Sequence, residues 1–268
     1  MRGPTRIFPA LSTAYVLARR SGLLERRWFK RLYGRAYFAY KRHLEDPFEG
    51  LLRRRPELVS GGNVVDVGAH IGYTAGVFSK MIDPEFRVYA FEPDPSNAAL
   101  LRENLKSRID LGRVVVVEAA VGSASGTAEL LRSPAHPGDH RIDTPAFAAR
   151  QGRLPVTVPL LSLDEFFASR ESEALAFVKL DVQGYELQVC RGMERTLARF
   201  PRTAVALEYS PSEMRAMNFD PDDLLTYFRE RGYTLHVLLR RGVIEPWQVE
   251  RVRSIVARRG YADLLCVK

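Results

Sequence analysis

Cysteine is scarce in this chain: only Cys190 and Cys266 occur in 268 residues. Two thiols make neither a disulfide framework nor a cysteine-based zinc site. They read as free thiols buried in a helix and in the last strand, and they fit a reduced, cytoplasmic setting. Long apolar runs are also lacking. The nearest is residues 7–18, which Pro9 and two hydroxyl residues interrupt and Arg19-Arg20 end. It is too short to span a bilayer, and no persuasive small-residue cleavage site follows it. It is read as a surface segment or an N-terminal helix. Internal repeats and low-complexity tracts are absent, which leaves a globular chain long enough to bury a sizeable core.

Charge is present but unevenly spread. Residues 1–55 hold 14 Lys/Arg against 4 Asp/Glu, out of 40 and 32 in the whole chain. The remainder is therefore 26 against 28, and the net +8 belongs to the N-terminal segment. A nearly neutral main body argues against nucleic acid as a partner. The basic segment has an amphipathic pattern: Leu23, Leu24, Trp28, Leu32, Tyr33, Tyr37 and Tyr40 recur at three- and four-residue steps. Residues 1–58 are thus expected to form a basic, aromatic-rich helical extension. The bland reading is a helix packed on the main domain with its basic face solvated. The functional readings are a cover over the substrate cleft, or a peripheral contact with an anionic inner-membrane surface.

What is present in quantity is a set of apolar strands ending in acids or glycines. Asn63-Val-Val-Asp-Val-Gly-Ala-His-Ile-Gly72 is the most informative stretch. Val64, Val65 and Val67 predict a buried parallel strand. Gly68 permits a sharp turn close to a ligand. Gly72 lets the next helix start tight against the sheet, and its N-terminus offers N–H groups to an anion. The spacing is not G-x-G-x-x-G, and Asp66 would repel a pyrophosphate. An acid there suits a ligand with a positive end, such as an amino group or a sulfonium.

A second strand, Arg87–Phe91, leads to Glu92-Pro-Asp-Pro95. Glu92 is placed to accept hydrogen bonds from two ribose hydroxyls. A third, Val114–Val117, leads to Glu118-Ala-Ala120, where small residues leave room for a flat ring. Either Glu118 or the backbone near Ala119 would meet its amino group. A fourth, Leu175–Leu180, ends in Asp181 at the carboxyl edge of the sheet. Thr203–Glu208, Tyr233–Leu239 and Ala262–Val267 are further strands. Thr127–Leu131 and Val156–Leu160 look like a β insertion, about residues 123–162. The turn-rich stretch between them carries His136, Asp139, His140 and Asp143. Those four show no tight metal-ligand spacing, so no metal is expected.

Several of these pieces together resemble the FkbM-like family of S-adenosylmethionine (SAM) dependent methyltransferases. They are Asp66-Val-Gly-Ala-His-Ile-Gly-Tyr-Thr74, Phe91-Glu-Pro-Asp94, Ala120-Val-Gly122 with Gly126, Leu163-Asp164, Lys179-Leu-Asp-Val-Gln-Gly-Tyr-Glu186, Arg191-Gly192 and Leu207-Glu208. The family usually has Asn where His70 stands and Glu where Gln183 stands. The resemblance implies a class I, Rossmann-like α/β domain over residues 59–268. Its seven-stranded, mostly parallel sheet has an antiparallel last strand and flanking helices. The implied cofactor is SAM, held by Asp66, Gly68, Ala69, His70, Gly72, Tyr73, Thr74, Glu92, Pro93, Glu118, Ala119, Ala120 and Asp181. The implied reaction is O-methylation of a sugar, glycolipid or polyketide-type acceptor, with Asp181, Glu208 or His140 as the base. Two other readings stand beside it. One is an RNA methyltransferase guided by the basic extension, although no Asn-Pro-Pro-Tyr type motif is present. The other is a non-catalytic docking module, against which five intact site residues argue. A homodimer is also an expectation.

Overall fold

The computed structural model describes residues 27–133, 140–144, 153–170 and 173–268, with side chains from Leu32 onward. Twelve strands occur among these residues. β1 (Asn63–Val67), β2 (Val88–Phe91), β3 (Val114–Val117), β8 (Leu175–Leu180), β9 (Ala204–Tyr209), β10 (Thr234–Leu239), β11 (Val243–Pro246) and β12 (Ala262–Val267) form the main sheet. Its order is β3-β2-β1-β8-β9-β12-β10-β11. The first five of these strands run parallel, and β12 is antiparallel to both β9 and β10. That is the expected seven-stranded arrangement with one addition. The edge strand β11 pairs antiparallel with β10. It is short and ends in Pro246, which cannot donate to a ladder and so is at home on an edge.

Runs of Val, Leu and Phe make the central strands because both faces are covered. Every residue of β1, including Asp66, is buried. One face packs Val65, Val178, Val205 and Leu264 against Phe166, Phe167 and Phe228. The other packs Val64, Val88, Phe177 and Ala206 against Phe78, Leu101 and Leu52. The chain order reverses between β1 and β8. Such a switch point opens a crevice past the carboxyl ends of those strands. Gly68 and Asp181 stand on its two sides so closely that a Cβ on Gly68 (φ +76°) would lie 1.9 Å from the Asp181 carbonyl oxygen. Gly72 has a different job from the one expected. It is left-handed (φ +92°), and its bare face abuts Leu101 and Leu105 of the neighbouring helical segment rather than the sheet.

The insertion forms a second sheet from β4 (Ala120–Val121), β5 (Gly126–Arg132), β6 (Arg141–Ile142) and β7 (Leu154–Leu161), in the order β4-β7-β5-β6. Its apolar side, with Ala120, Leu130, Ile142 and Val158, turns inward.

The extension is built into the fold. Helix α1 (Arg27–Tyr40) runs into a π-helical turn, Lys41–Glu45, and then helix α2 (Phe48–Arg54). Asp46 starts α2 by accepting N–H bonds from Phe48 and Glu49, both 3.0 Å. Phe48, Leu51 and Leu52 enter the core beside Phe78. On α1, Tyr33 and Tyr40 are buried as the periodicity predicts. Leu32 is 57% exposed, so the apolar face lies one step round from the expected one. Leu23 and Leu24 lie outside the described residues, as do His136 and Asp139 of the insertion.

The fold yields a paired prediction. Gly242 (φ +72°) crosses α2 so tightly that a Cβ would sit 1.9 Å from the Leu51 nitrogen, whereas Gly112 (φ +68°) has nothing within 4 Å. Gly112→Ala should cost about 1 kcal/mol, the penalty of the left-handed conformation alone. Gly242→Ala should cost on the order of 3–4 kcal/mol, because backbone must also move. Denaturant unfolding of the two variants decides this. Equal losses would mean that α2 is not docked on that turn.

Candidate active site

A cavity of about 830 Å³ opens at the carboxyl edge of the sheet. Gly68, His70, Glu92, Pro93, Asn97, Ala119 and Ala120 form one end. Asp181, Gln183 and Glu208 stand at the middle. Tyr37 of the extension stands against His70, Lys41 and Glu45 follow it along the wall, and Arg240 and the segment Arg258–Tyr261, over the ends of β10 and β12, form the other end. His140, Arg141 and Ile142 of the insertion close a further side. A smaller cavity of about 80 Å³ adjoins it beneath the extension and is lined by Ala69, Tyr73 and Thr74 among others.

Lys179 organises the switch point. It lies on β8 in register with Asp66 of β1, so the two side chains meet across the strands. Its Nζ is 3.1 Å from Asp66 Oδ1 and 3.4 Å from Asp181 Oδ2, and it donates to the Gly68 carbonyl at 3.1 Å. Burial alone would push this ammonium's pKa down, yet the two carboxylates raise it, so Lys179 stays charged. Thr74 donates to the other Asp66 oxygen at 2.6 Å. Asp66 is fully buried, its carboxylate is taken by these two groups, and it does not line either cavity. The direct contact expected between Asp66 and a cationic ligand is thereby replaced. Asp66 fixes Lys179, and Lys179 fixes Asp181.

Asp181 keeps about a third of its side chain open. Burial opposes its charge, but Lys179 and then Lys41 outweigh it, and Gln183 donates to Oδ1 at 3.1 Å. Its pKa is lowered. Glu208 behaves oppositely. Burial, Asp181 and Asp263 push its pKa well above the usual carboxylate range. Two neighbouring carboxyl groups are therefore driven apart, one toward its ionised form and one toward its protonated form. Glu186, 0% exposed, accepts N–H bonds from Val182 and Gly184 and so braces the loop after Asp181.

Glu92 is 4% exposed. Its Oε1 accepts from the Asp94 N–H (3.0 Å) and the Asn97 amide (3.3 Å), and its Oε2 from the His70 N–H (2.8 Å). A carboxylate has about four acceptor positions, so one on Oε2 stays open beside the cavity. Burial pushes its pKa up to about 7 against these hydrogen bonds. His70 (φ +51°) lies edge-on to Tyr37, with centroids 5.2 Å apart. Both its ring nitrogens are buried without a hydrogen-bond partner. Burial first, and then Lys41, lower its pKa to about 3, so the ring is neutral.

Two candidates fall away. Glu118 does not line the cavity, because it turns to Arg102 at 2.7 Å on the surface. His140 lines the cavity, but its Nδ1 accepts the Ser133 N–H at 3.1 Å. Its proton then sits on Nε2, which is 3.9 Å from Asp94, and no lone pair is left to act as a base. Asp143 and Gly72 also stand off the cavity wall. Tyr37, Lys41, Lys179 and Arg240 were not expected in the site. Lys179 had a sequence signal as the residue two before the strand-ending acid, and Tyr37 belongs to the segment for which a cover over the cleft was one reading.

The Methyltransferase FkbM domain matches residues 66–235 of this chain. The chain belongs to the FkbM family of methyltransferases. A hexuronic acid methyltransferase, AglP, from Haloferax volcanii is 35% identical over 133 residues, 49% of this chain and 50% of that protein. The 31-O-demethyl-FK506 methyltransferase FkbM of Streptomyces tacrolimicus is 28% identical over 227 residues, 75% of this chain and 83% of that one. The crystal structure of a methyltransferase FkbM from Methylobacillus flagellatus superposes with a TM-score of 0.52 at 18% identity, covering 86% of this chain and 50% of that chain. The chain thus spans about half the length of the first and third of these relatives. The fold is that of class I SAM-dependent methyltransferases, and the Leu163-Asp164 and Arg191-Gly192 motifs take structural places in it. Asp164 caps the helix Glu194–Arg199 by accepting from Thr196 N–H at 2.7 Å, and Gly192 leaves room for the Gly122 carbonyl.

The pKa of Glu92 sets a pH dependence. The folded state holds this proton where an unfolded glutamate has already released it, so its contribution is full below pH 4.5 and lost as the pH rises through 7. Glu92→Gln should therefore gain stability relative to wild type between pH 5 and pH 8, by on the order of 1–3 kcal/mol. Thermal melts of ligand-free protein across that range check it, and a pH-independent difference would show that Glu92 is ionised throughout.

Proposed function

We propose that this chain transfers a methyl group from SAM to a hydroxyl of a small carbohydrate-like or natural-product acceptor. The observation that carries the reading is the pair of ends of one cavity: Glu92 and His70 at one, Asp181 and Glu208 facing the rest. About 830 Å³ is a volume that suits a cofactor together with part of an acceptor. The residues at the Glu92 end fit SAM. The open acceptor position on Glu92 suits a ribose hydroxyl. The unpartnered His70 nitrogens suit polar atoms of the methionine end. Ala119 and Ala120 leave a flat gap for adenine.

SAM, when bound, supplies an electrophilic methyl group on a sulfonium. The protein's own part is to place the hydroxyl and receive its proton. Asp181, kept ionised by Lys179, accepts a hydrogen bond from the hydroxyl. Because its pKa is low it is a weak base, so it takes the proton late, once the forming oxygen–carbon bond has made that proton strongly acidic. Glu208, protonated, donates a hydrogen bond to a second acceptor oxygen. Gln183 holds Asp181 in place.

Nothing in the described part of the extension favours the nucleic-acid reading. Several of its described cations are already paired: Lys41 with Glu45 at 2.7 Å, and Arg42 and Arg53 with Glu49 at 3.2 and 2.8 Å. No helix among the described residues is long and apolar enough to cross a membrane.

Calorimetric titration with SAM and a labelled-methyl assay on sugar, lipid and RNA fractions test the proposal. Label in the RNA fraction alone, or no SAM binding by folded protein, would overturn it. Glu92→Ala should weaken SAM binding by about tenfold or more, since a hydrogen bond to a charged group is lost. Asp181→Asn should lower kcat by about a hundredfold while SAM affinity changes far less.

A further inference from the structure

The two ends of the cavity differ in charge. At the Glu92 end the lining cation is Arg141, which is paired with Glu213. The far end lies over the ends of β9, β12 and β10. Arg240, Arg258 and Arg259 line it there, and Lys41 adds a fourth cation between it and His70. They arrive from three separate elements, namely the turn Lys41–Glu45, the 3-10 turn Arg240–Gly242 and the last turn of the helix Val249–Arg259.

Two of the four are balanced. Lys41 pairs with Glu45 at 2.7 Å. Arg259 lies 3.5 Å from Asp263 and donates to the Tyr261 hydroxyl at 2.6 Å. Among the described residues, the other two reach main-chain oxygens only. Arg240 donates to the His43 carbonyl at 2.9 Å, and Arg258 donates through Nε to the Ser254 carbonyl at 3.2 Å. A guanidinium has five N–H donors, so most of each fork is unspent at the cavity. A helix C-terminus favours a cation such as Arg258. That accounts neither for Arg240, which is on another element, nor for their convergence on one cavity wall. Burial and Asp181 push Glu208, the carboxyl group on β9, toward its protonated form. That weakens its power to offset them.

Planar guanidinium forks match carboxylates and phosphates in shape and charge, which a neutral hydroxyl compound does not exploit. We propose that the acceptor carries an oxyanion, a carboxylate or a phosphate, which Arg240 and Arg258 hold while its hydroxyl is presented to Asp181. This rests on the methyl-transfer reading for the hydroxyl, but the anion site itself can be tested without it.

The experiment is a calorimetric titration of the full chain, with and without S-adenosylhomocysteine, using methyl glucuronide, glucose 6-phosphate and methyl glucoside as probes. At least one charged probe should bind about tenfold or more tightly than the neutral glucoside, and more weakly as salt rises. The Arg240→Gln, Arg258→Gln double variant should lose that preference and keep its S-adenosylhomocysteine affinity, which also shows that it is folded. Preference for the glucuronide points to a uronic-acid acceptor, and preference for the phosphate to a sugar-phosphate or phosphate-linked lipid. Equal binding of all three probes, or a preference that survives in the double variant, overturns the anion site. Failure of the wild type to bind S-adenosylhomocysteine counts against the methyltransferase reading instead, and the probe titrations without it still decide the anion question.

Discussion

A single ammonium group, that of Lys179, sits where the two halves of the sheet part, and it touches the carboxylates of Asp66 and Asp181 and the carbonyl of Gly68. A buried charge is costly unless it is compensated. Here the compensation defines the geometry of the site. β1 and β8 must be in register for Asp66 to reach Lys179. Gly68 must have no side chain for its loop to approach Asp181. Asp181 must point back toward the lysine and so is presented to the cavity at a fixed angle. Removing Lys179 leaves Asp66 buried without its counter-charge, which is typically far more damaging than exchanging both for apolar residues.

Much of this was legible in the sequence because strand ends are local signals. An apolar run closing on Asp, Gly or Glu announces itself within ten residues, and so Gly68, Glu92, Ala119 and Asp181 were all placed at one edge. The two extra strands of the insertion were legible for the same reason. What escaped is what depends on the choice of partner. Glu118 looks like Glu92 in sequence, yet one meets Arg102 on the surface and the other meets three N–H donors inside. His140 looks like a free base until Ser133 is found beside it. The strand Val243–Pro246 was invisible because four residues with a terminal proline carry no periodicity of their own.

The extension is the clearest case of a pattern that was right in kind and incomplete in meaning. Its three- and four-residue spacing announced a helix with one apolar face. Spacing cannot say what that face will meet. In the fold it meets His70 through Tyr37, and the turn that follows brings Lys41 and Glu45 onto the cavity wall. The extension thus both covers the core and completes the site, and four of its described cations, Lys41, Arg42, Arg53 and Arg55, are taken up in local ion pairs.

Glu92 has a consequence beyond its contacts. A carboxyl group near half-protonation at neutral pH is a poor acceptor until its proton leaves, and hydroxyl donors favour the ionised form. Ligand capture at that position is therefore coupled to proton release into the solvent. Observed affinity will climb with pH on the way to 8. The heat of binding will also carry the ionisation enthalpy of whatever buffer receives the proton, so the same association will look different in phosphate and in Tris.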